Sequence, residues 1–368
     1  MLDVSDDADD VMSSGGFTAT WRIDSFLDGA LLASDIPVSQ GQETTDVTLN
    51  VPESLTLSVP REDAGTIWAP GRDVDHPLAP WGQRLHLFLG VGGGALGVEL
   101  LERGWFYITD TQVNGDTVSV TASGLLGLIQ EASFVSPFAP SGNFSTVLRR
   151  LVEPALTVDL TAAPTDRAVP SGIVWQDNRL DAVNELLDAW AAVAFVDETG
   201  TLIVTASGDT TTSSLKLTDG SGGTTMKWGG DLTRDGAANA VVARGNDSTG
   251  ADVQAVVFDS ARDSPTRYGG PFNPLPVPFL YYSPLLTTVG QCSAAAGTVL
   301  ARRQKQAARL VVADAVPYLG LQARDGVTVT SDELGLDGVL AIVDRLVMPV
   351  TPASGAMTVG GRIPLVAS

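Results

Sequence analysis

The sequence predicts a mainly β, α+β protein with one small α/β module at its middle. Three observations carry this. Short runs with period-two hydrophobic alternation recur on both sides of the middle. The 368 residues include 39 Gly and 21 Pro, which suits many tight turns between short strands. The stretch NRLDAVNELLDAWAAVAFVDETGTLIV, Asn178–Val204, reads as one amphipathic helix running directly into a β-hairpin.

The start, MLDVSDDADD, is acidic and polar and predicts a flexible segment over 1–16. Strand signals begin near Phe17. In Val47–Val51, Val47, Leu49 and Val51 alternate with Thr48 and Asn50, and Leu55–Val59 and Arg84–Gly90 repeat the pattern. WFYITDTQV and DTVSVTA flank Asn114-Gly115, a strong hairpin-turn signal. Together these predict an antiparallel β-domain over 17–122.

GLLGLIQEA and NFSTVLRRLVEPA read as short helices, the second closed by Pro154 because the residue before a proline avoids the helical region. In the central helix, Leu180, Val183, Leu186, Leu187, Trp190 and Val193 form one stripe, with Asp181, Glu185 and Asp188 on the other side. Asp177 or Asn178 can cap its N-terminus. DETG then turns the chain into TLIV, completing a small α/β domain over 123–207. The loop TDGSGGTT, Thr218–Thr225, leads to strands AANAVVARG and DVQAVVFDSA, placed with a second β-region over 208–258. Ser264–Pro284 is too rich in proline for a central strand. With a helix over Thr288–Gln306 it forms an insertion over 259–308. ARLVVADAV, DGVTVTS, GVLAIVDRLVMPV and MTVGGRI complete the second β-region over 309–368.

Asp plus Glu number 43 against 22 Lys plus Arg, a formal charge of -21. Nucleic-acid affinity comes mainly from cations meeting phosphates, so a free nucleic-acid binder is excluded. The same charge is repelled by anionic lipid headgroups, and no apolar run approaches the ~20 residues of a membrane span. Cys292 is the one cysteine, so no intrachain disulfide can form. The N-terminal residues have neither the basic nor the apolar region of a secretory signal, so synthesis in the cytoplasm is expected.

Reactive groups are sparse. His76 precedes Pro77 in a loop, and His86 alternates with Arg84 and Phe88 on a strand; neither spacing suggests a metal site or a triad. Cys292 sits on an Ala-rich helix face as a small core residue. GGGALG, Gly92–Gly97, matches G-x-G-x-x-G but is followed by a β-type run, so it reads as a hairpin loop. NFS at Asn143 and NDS at Asn246 match the glycosylation tripeptide by chance. No catalytic, cofactor-binding or metal-binding residue is assigned, no cofactor is expected, and the chain does not read as an enzyme.

Several stretches together resemble the hub proteins at the tip of bacteriophage tails, especially those of long-tailed phages of actinobacteria and the N-terminal hub part of tail-associated lysins. APWGQRLHLFLG and RGWFYITD are similar to that family's N-terminal β-domain, and LLGLIQEASFVSPFAPSGNFSTVLRRLV to the crossing into its middle. Asn178–Val204 resembles its helix and hairpin, and RDGAANAVVARG, Arg234–Gly245, its strand re-entering the ring. The Pro-rich segment with its helix and AVPYLGLQARDGVTVT, Ala315–Thr330, resemble the later parts. One departure is Arg324-Asp325-Gly326, where family members often carry Gly-Asp before the late strand.

The resemblance implies two tail-tube-like β-barrel domains per chain, with the middle domain buttressing them. It implies a homotrimer forming a pseudo-sixfold ring that joins the sixfold tail tube to a threefold tip. The expected partners are a distal tail protein or tube ring above, and tip, fibre or tape-measure proteins below, with DNA passing at ejection without specific binding. The expected location is the virion tail tip or baseplate. With the sequence reaching Ser368, no fused lysin domain is expected. A receptor- or glycan-binding tail protein is the alternative, for which PFLYYSP, Pro278–Pro284, is the best exposed-aromatic candidate. A tail-associated hydrolase would need a carboxylate pair that only geometry could reveal.

Overall fold

Period-two alternation becomes one long, largely antiparallel sheet. The computed structural model describes residues 1–13, 17–93, 97–232, 234, 236–262, 264–304, 308–350 and 355–363. The expected boundaries also include 14–16, 305–307 and 364–368, which lie outside the described residues. After α1 (Asp6–Ser13) come β1 (Thr18–Leu27), β2 (Ala30–Ala33), β3 (Gln40–Asp46), β4 (Glu53–Pro60) and the small hairpin β5 (Glu62–Asp63) and β6 (Thr66–Ile67). β7 (Arg84–Gly92), β8 (Val98–Asn114) and β9 (Thr117–Gly124) close the first region. The middle holds α2 (Leu126–Glu131), α3 (Phe144–Val152), β10 (Thr157–Ala162), α4 (Arg179–Trp190), β11 (Ala192–Val196) and β12 (Thr201–Ala206). Then follow β13 (Leu215–Thr218), β14 (Thr225–Leu232), β15 (Ala240–Asn246), β16 (Asp252–Phe258), β17 (Pro278–Tyr282) and α5 (Val289–Gln304). β18 (Ala308–Ala315), β19 (Gly326–Ser331), β20 (Leu336–Pro349) and β21 (Met357–Arg362) end the described chain. The fold is α+β and mainly β.

The two β-rich regions share one sheet. Its strands run β14-β18-β21-β20-β3-β4-β9-β8-β7-β1-β2, with β19 on β20 and β13 on β19. The regions join where β20 pairs antiparallel with β3, from Arg345 opposite Asp46 to Pro349 opposite Gln42. One buried cluster spans both, from Ile23, Leu55, Leu87 and Val120 to Leu217, Val329, Val343 and Val359. The hairpin at Asn114-Gly115 forms as expected, with Asn114 opposite Thr117 and Gly115 at φ +59°.

Three expectations are corrected. Val47–Val51 is not a strand. Asp46 accepts from the Thr48 N–H at 3.0 Å and its hydroxyl at 2.6 Å, closing a turn that leaves Leu49 exposed. The strand there is the polar β3 that precedes it. The acidic N-terminus is a docked helix: Leu2, Ala8 and Met12 are buried, the Leu2 N–H donates to the Gly320 carbonyl, and the Tyr318 hydroxyl donates to Asp9. Asp6, Asp7 and Asp9 occupy its first turn, where carboxylates favour the helix dipole. Third, β15 and β16 do not belong to the large sheet. They form a separate sheet of order β16-β15-β17, backed by α5. The Pro-rich segment thus supplies an edge strand, the place where missing N–H donors are tolerated.

The middle domain is a three-stranded sheet, β10-β12-β11, with β10 and β12 parallel. Asn178 is the cap of α4, accepting from the N–H of Leu180 at 2.7 Å and Asp181 at 3.2 Å. Ala191 at φ +55° ends the helix and sends Val193 into β11, off the helical stripe. Leu180, Val183, Leu186, Leu187 and Trp190 are buried, as the stripe requires. The opposite face is less simple than expected. Asp181 is exposed, but Glu185 accepts from Trp175 Nε1 and the Ser283 hydroxyl, and Asp188 pairs with Arg302 of α5 at 2.7 Å.

Candidate functional site

The residues weighed for chemistry lie apart from one another and are occupied structurally. His76 Nδ1 accepts from the Leu78 N–H, and its Nε2 lies 3.2 Å from the Ile67 carbonyl. His86 is buried, stacked on Trp105 at 4.0 Å with the Phe88 ring tilted against it at 4.1 Å, and burial pushes its pKa down to about 4. It is neutral at neutral pH. Cys292 is fully buried on α5, and burial pushes its thiol up, away from the reactive thiolate. Within GGGALG, residues 94–96 lie outside the described residues; the strand β8 follows, so no helix stands where a phosphate would need one. Asn143 precedes α3 as its N-cap residue, and Asn246 donates to Asp252 at 2.9 Å. Among the described residues no group of three or more His, Cys, Asp and Glu is arranged to hold a metal ion, and no helix is long and apolar enough to cross a membrane.

The polar groups that do converge lie where the two β-regions and the middle domain meet. β8 carries a bulge: Leu87 faces Gly104 and Phe88 faces Glu102, so Arg103 is the extra residue. The bulge reverses the alternation. Leu101 and Arg103 point into the sheet's core before it, and Phe106 and Ile108 do so after it. Arg103 is thereby buried against β3. Its Nε and a terminal nitrogen donate to the two carboxylate oxygens of Glu43 at 2.9 and 3.1 Å. Its other terminal nitrogen donates to the carbonyls of Leu319 and Leu321, at 3.0 and 2.8 Å, in the segment entering β19. One guanidinium thus ties the first β-region to the second.

Beside this pair is a cavity of about 110 Å³ whose lining includes Glu43, Glu53, Arg103, Phe195, Glu198 and Arg324. Glu53 Oε2 is closed off from solvent and has no hydrogen-bond partner among the described residues, and burial pushes the carboxyl up to about 7 against the opposing pull of Arg324. Gly124 faces Glu53 so closely that a Cβ there would lie 2.5 Å from Oε2. Arg324 adopts φ +76°, a region that favours glycine, and its guanidinium packs over Phe195 of β11, 5.1 Å from the ring centre. The β11–β12 turn is built by Asp197, which accepts from the N–H of Thr199 and Thr201. Gly200 of that turn lies against Trp105 and Leu125. The middle-domain hairpin is therefore seated on β8 immediately after the bulge.

The sequence reading missed Arg103. Gly104, inside an otherwise alternating strand, was the available signal, since glycine in a strand marks a bulge or a close approach. Chemically, the junction fastens elements together. Its arginines and carboxylates are largely engaged with protein, and the cavity is small.

No protein-family model matches the sequence, and no curated protein matches it. Solved structures do. A tail protein from Neisseria meningitidis MC58 superposes with a TM-score of 0.65 over 94% of this chain and 96% of that one, at 13% identity. The 43 kDa tail protein of prophage MuSo2 from Shewanella oneidensis gives 0.59 over 93% and 98%, also at 13% identity. Prophage tail protein gp18 from Listeria monocytogenes EGD-e gives 0.54 over 93% and 94%, at 11% identity. At such identities the likeness is one of fold, and it runs the length of each chain: this protein has the fold of phage tail proteins.

Proposed function

We propose that this chain is a structural hub of a phage tail tip or baseplate, not a catalyst. Three copies form a pseudo-sixfold ring that joins the sixfold tube to a threefold tip and lets DNA pass at ejection. The observation that carries this reading is the shared sheet. Two β-regions of one chain, fused side by side through β3 and β20, give three chains six sheet units around an axis. The length-wide likeness to phage tail proteins supports it.

The buried Arg103–Glu43 tie suits this role, because the relative pose of the two regions must be fixed for a ring to close. The formal charge of -21 suits a passage that must not hold DNA, since carboxylates repel phosphate over ~8 Å at physiological salt. In the virion the chain meets tube or distal tail proteins on one side and tip, fibre or tape-measure proteins on the other. Images of purified tails test the reading: a threefold ring with a central hole at the tip, labelled by an antibody to this chain, is expected. Label along the tail shaft would overturn it.

A further inference from the structure

Arg324 has two claimants. Its guanidinium leans on the middle domain, over the Phe195 ring of β11. Among the described residues its side chain makes one hydrogen bond, a long one of 3.4 Å to the Ala194 carbonyl of the same strand. A guanidinium carries five N–H donors, so most of those on Arg324 are uncommitted within the described protein. The same cavity holds the Glu53 carboxyl of β4. Asp344 and Asp209 also attract Arg324, but both are paired with Arg362. Glu53 has no such pairing: its Oε2 is closed off from solvent and accepts from no donor among the described residues.

The charge on Glu53 decides which claim is stronger. As a neutral acid it attracts the guanidinium weakly, and Arg324 stays with β11. As a carboxylate it is a buried charge without a partner, a costly state that a charge-assisted pairing with Arg324 relieves. The other charged groups around the cavity do not substitute. Arg103 of β8 is committed to Glu43 of β3 and to the Leu319 and Leu321 carbonyls. Glu43, and Asp197 and Glu198 of the β11–β12 turn, add negative charge and so sharpen the need for Arg324. β9 contributes Gly124 at this point and no charge. His86, stacked on Trp105, is already neutral well below neutral pH. Burial holds the Glu53 acid near about 7, so its charge changes mainly between about pH 6 and 8.

We propose that Arg324 is a pH-dependent latch on the middle domain: with Glu53 neutral it holds β11, and with Glu53 ionised it turns to Glu53 and loosens the β11–β12 hairpin from the two β-regions. The hairpin is therefore held firmly in mild acid and loosely in mild base.

Hydrogen exchange of the full chain, read by mass spectrometry, tests this. Each amide's rate is divided by its free-peptide rate at the same pH, and the protection of Ala192–Ala206 is taken relative to that of β7, which removes changes in global stability. In the wild-type chain this ratio is expected to fall at least ~10-fold, the equivalent of one pKa unit, between about pH 6 and about pH 8.5. Glu53→Gln, which cannot ionise, is expected to keep the high ratio at both pH values. Arg324→Gln is expected to show the low ratio at both. Should that variant not fold, Phe195→Leu, which removes the ring the guanidinium leans on, is expected to flatten the response in the same way. A wild-type ratio that does not change with pH would overturn the latch. A response that persists in Glu53→Gln would assign the titration to another group and overturn it as well. A full response in Arg324→Gln or Phe195→Leu would show that Glu53 acts through its burial alone, which also overturns it.

Discussion

Removing both partners of the Arg103–Glu43 pair is predicted to cost less than the sum of removing each alone. Arg103 and Glu43 side chains are 2% and 6% exposed, so water cannot compensate for a lost partner. Glu43→Gln leaves a buried guanidinium short of its counter-charge, a cost of roughly 3–5 kcal/mol. Arg103→Met strands the Glu43 carboxylate and also removes the donor to the Leu319 and Leu321 carbonyls, each worth about 1–3 kcal/mol if left unsatisfied. In the double variant neither member of the pair is left as a stranded charge. Its cost should fall short of the sum of the singles by about 2–3 kcal/mol, at the upper end of couplings between contacting residues. Urea unfolding followed by circular dichroism, run on all four proteins, measures the cycle. Additivity within ~0.5 kcal/mol would show that the pair is not a dry, coupled contact, and the account of how the two regions are fastened would fail.

Further outcomes follow from the same geometry. Leu186→Ala should cost roughly 2–5 kcal/mol in unfolding free energy, Asp188→Ala up to ~1 kcal/mol through its bridge to Arg302, and Asp181→Ala within about 0.5 kcal/mol; equal effects would put the phase of α4 in error. The Glu53 carboxyl sits at about 7 in the folded chain against an ordinary 4.5, so the folded state holds an extra proton between those values and loses that stabilisation as pH rises through 7. Glu53→Gln should therefore match the parent near pH 4.5 and exceed it by about 1–3 kcal/mol at pH 8; an advantage that is greatest at acid pH would contradict the burial of this carboxylate. The assembled protein should show no affinity for duplex DNA near 50 mM salt, and micromolar binding that weakens steeply with salt would reveal a basic passage.

Some of this architecture was legible in the sequence, and the reasons are local. β7 and β9 show alternating apolar residues in sequence, and the β8–β9 turn has Asn114-Gly115 to fix its register. α4 has its cap at Asn178 and a full apolar stripe. The misreadings occur where a distant contact outweighs local pattern. Residues 1–13 look solvated because of their aspartates, yet Leu2, Ala8 and Met12 join a core to which β7 and the distant segment at Tyr318–Gly320 contribute. β3, QGQETTD, has almost no apolar signal and is a strand because β4 and β20 hold it on both sides. β15 resembles the strands of the large sheet in sequence because its parallel partner β17 hides inside a Pro-rich run. The junction was hidden for the same reason. Glu43, Arg103 and Arg324 are far apart in sequence, and only the β8 bulge aims Arg103 inward.

The most direct measurement of the central claim is the copy number of this chain in the intact particle, by quantitative mass spectrometry of purified virions scaled to a tail protein of known sixfold symmetry. The account predicts three copies per particle, one ring of three two-region chains. Six copies would mean that each chain fills one sixfold position, leaving the fused pair of β-regions unexplained, and would contradict it.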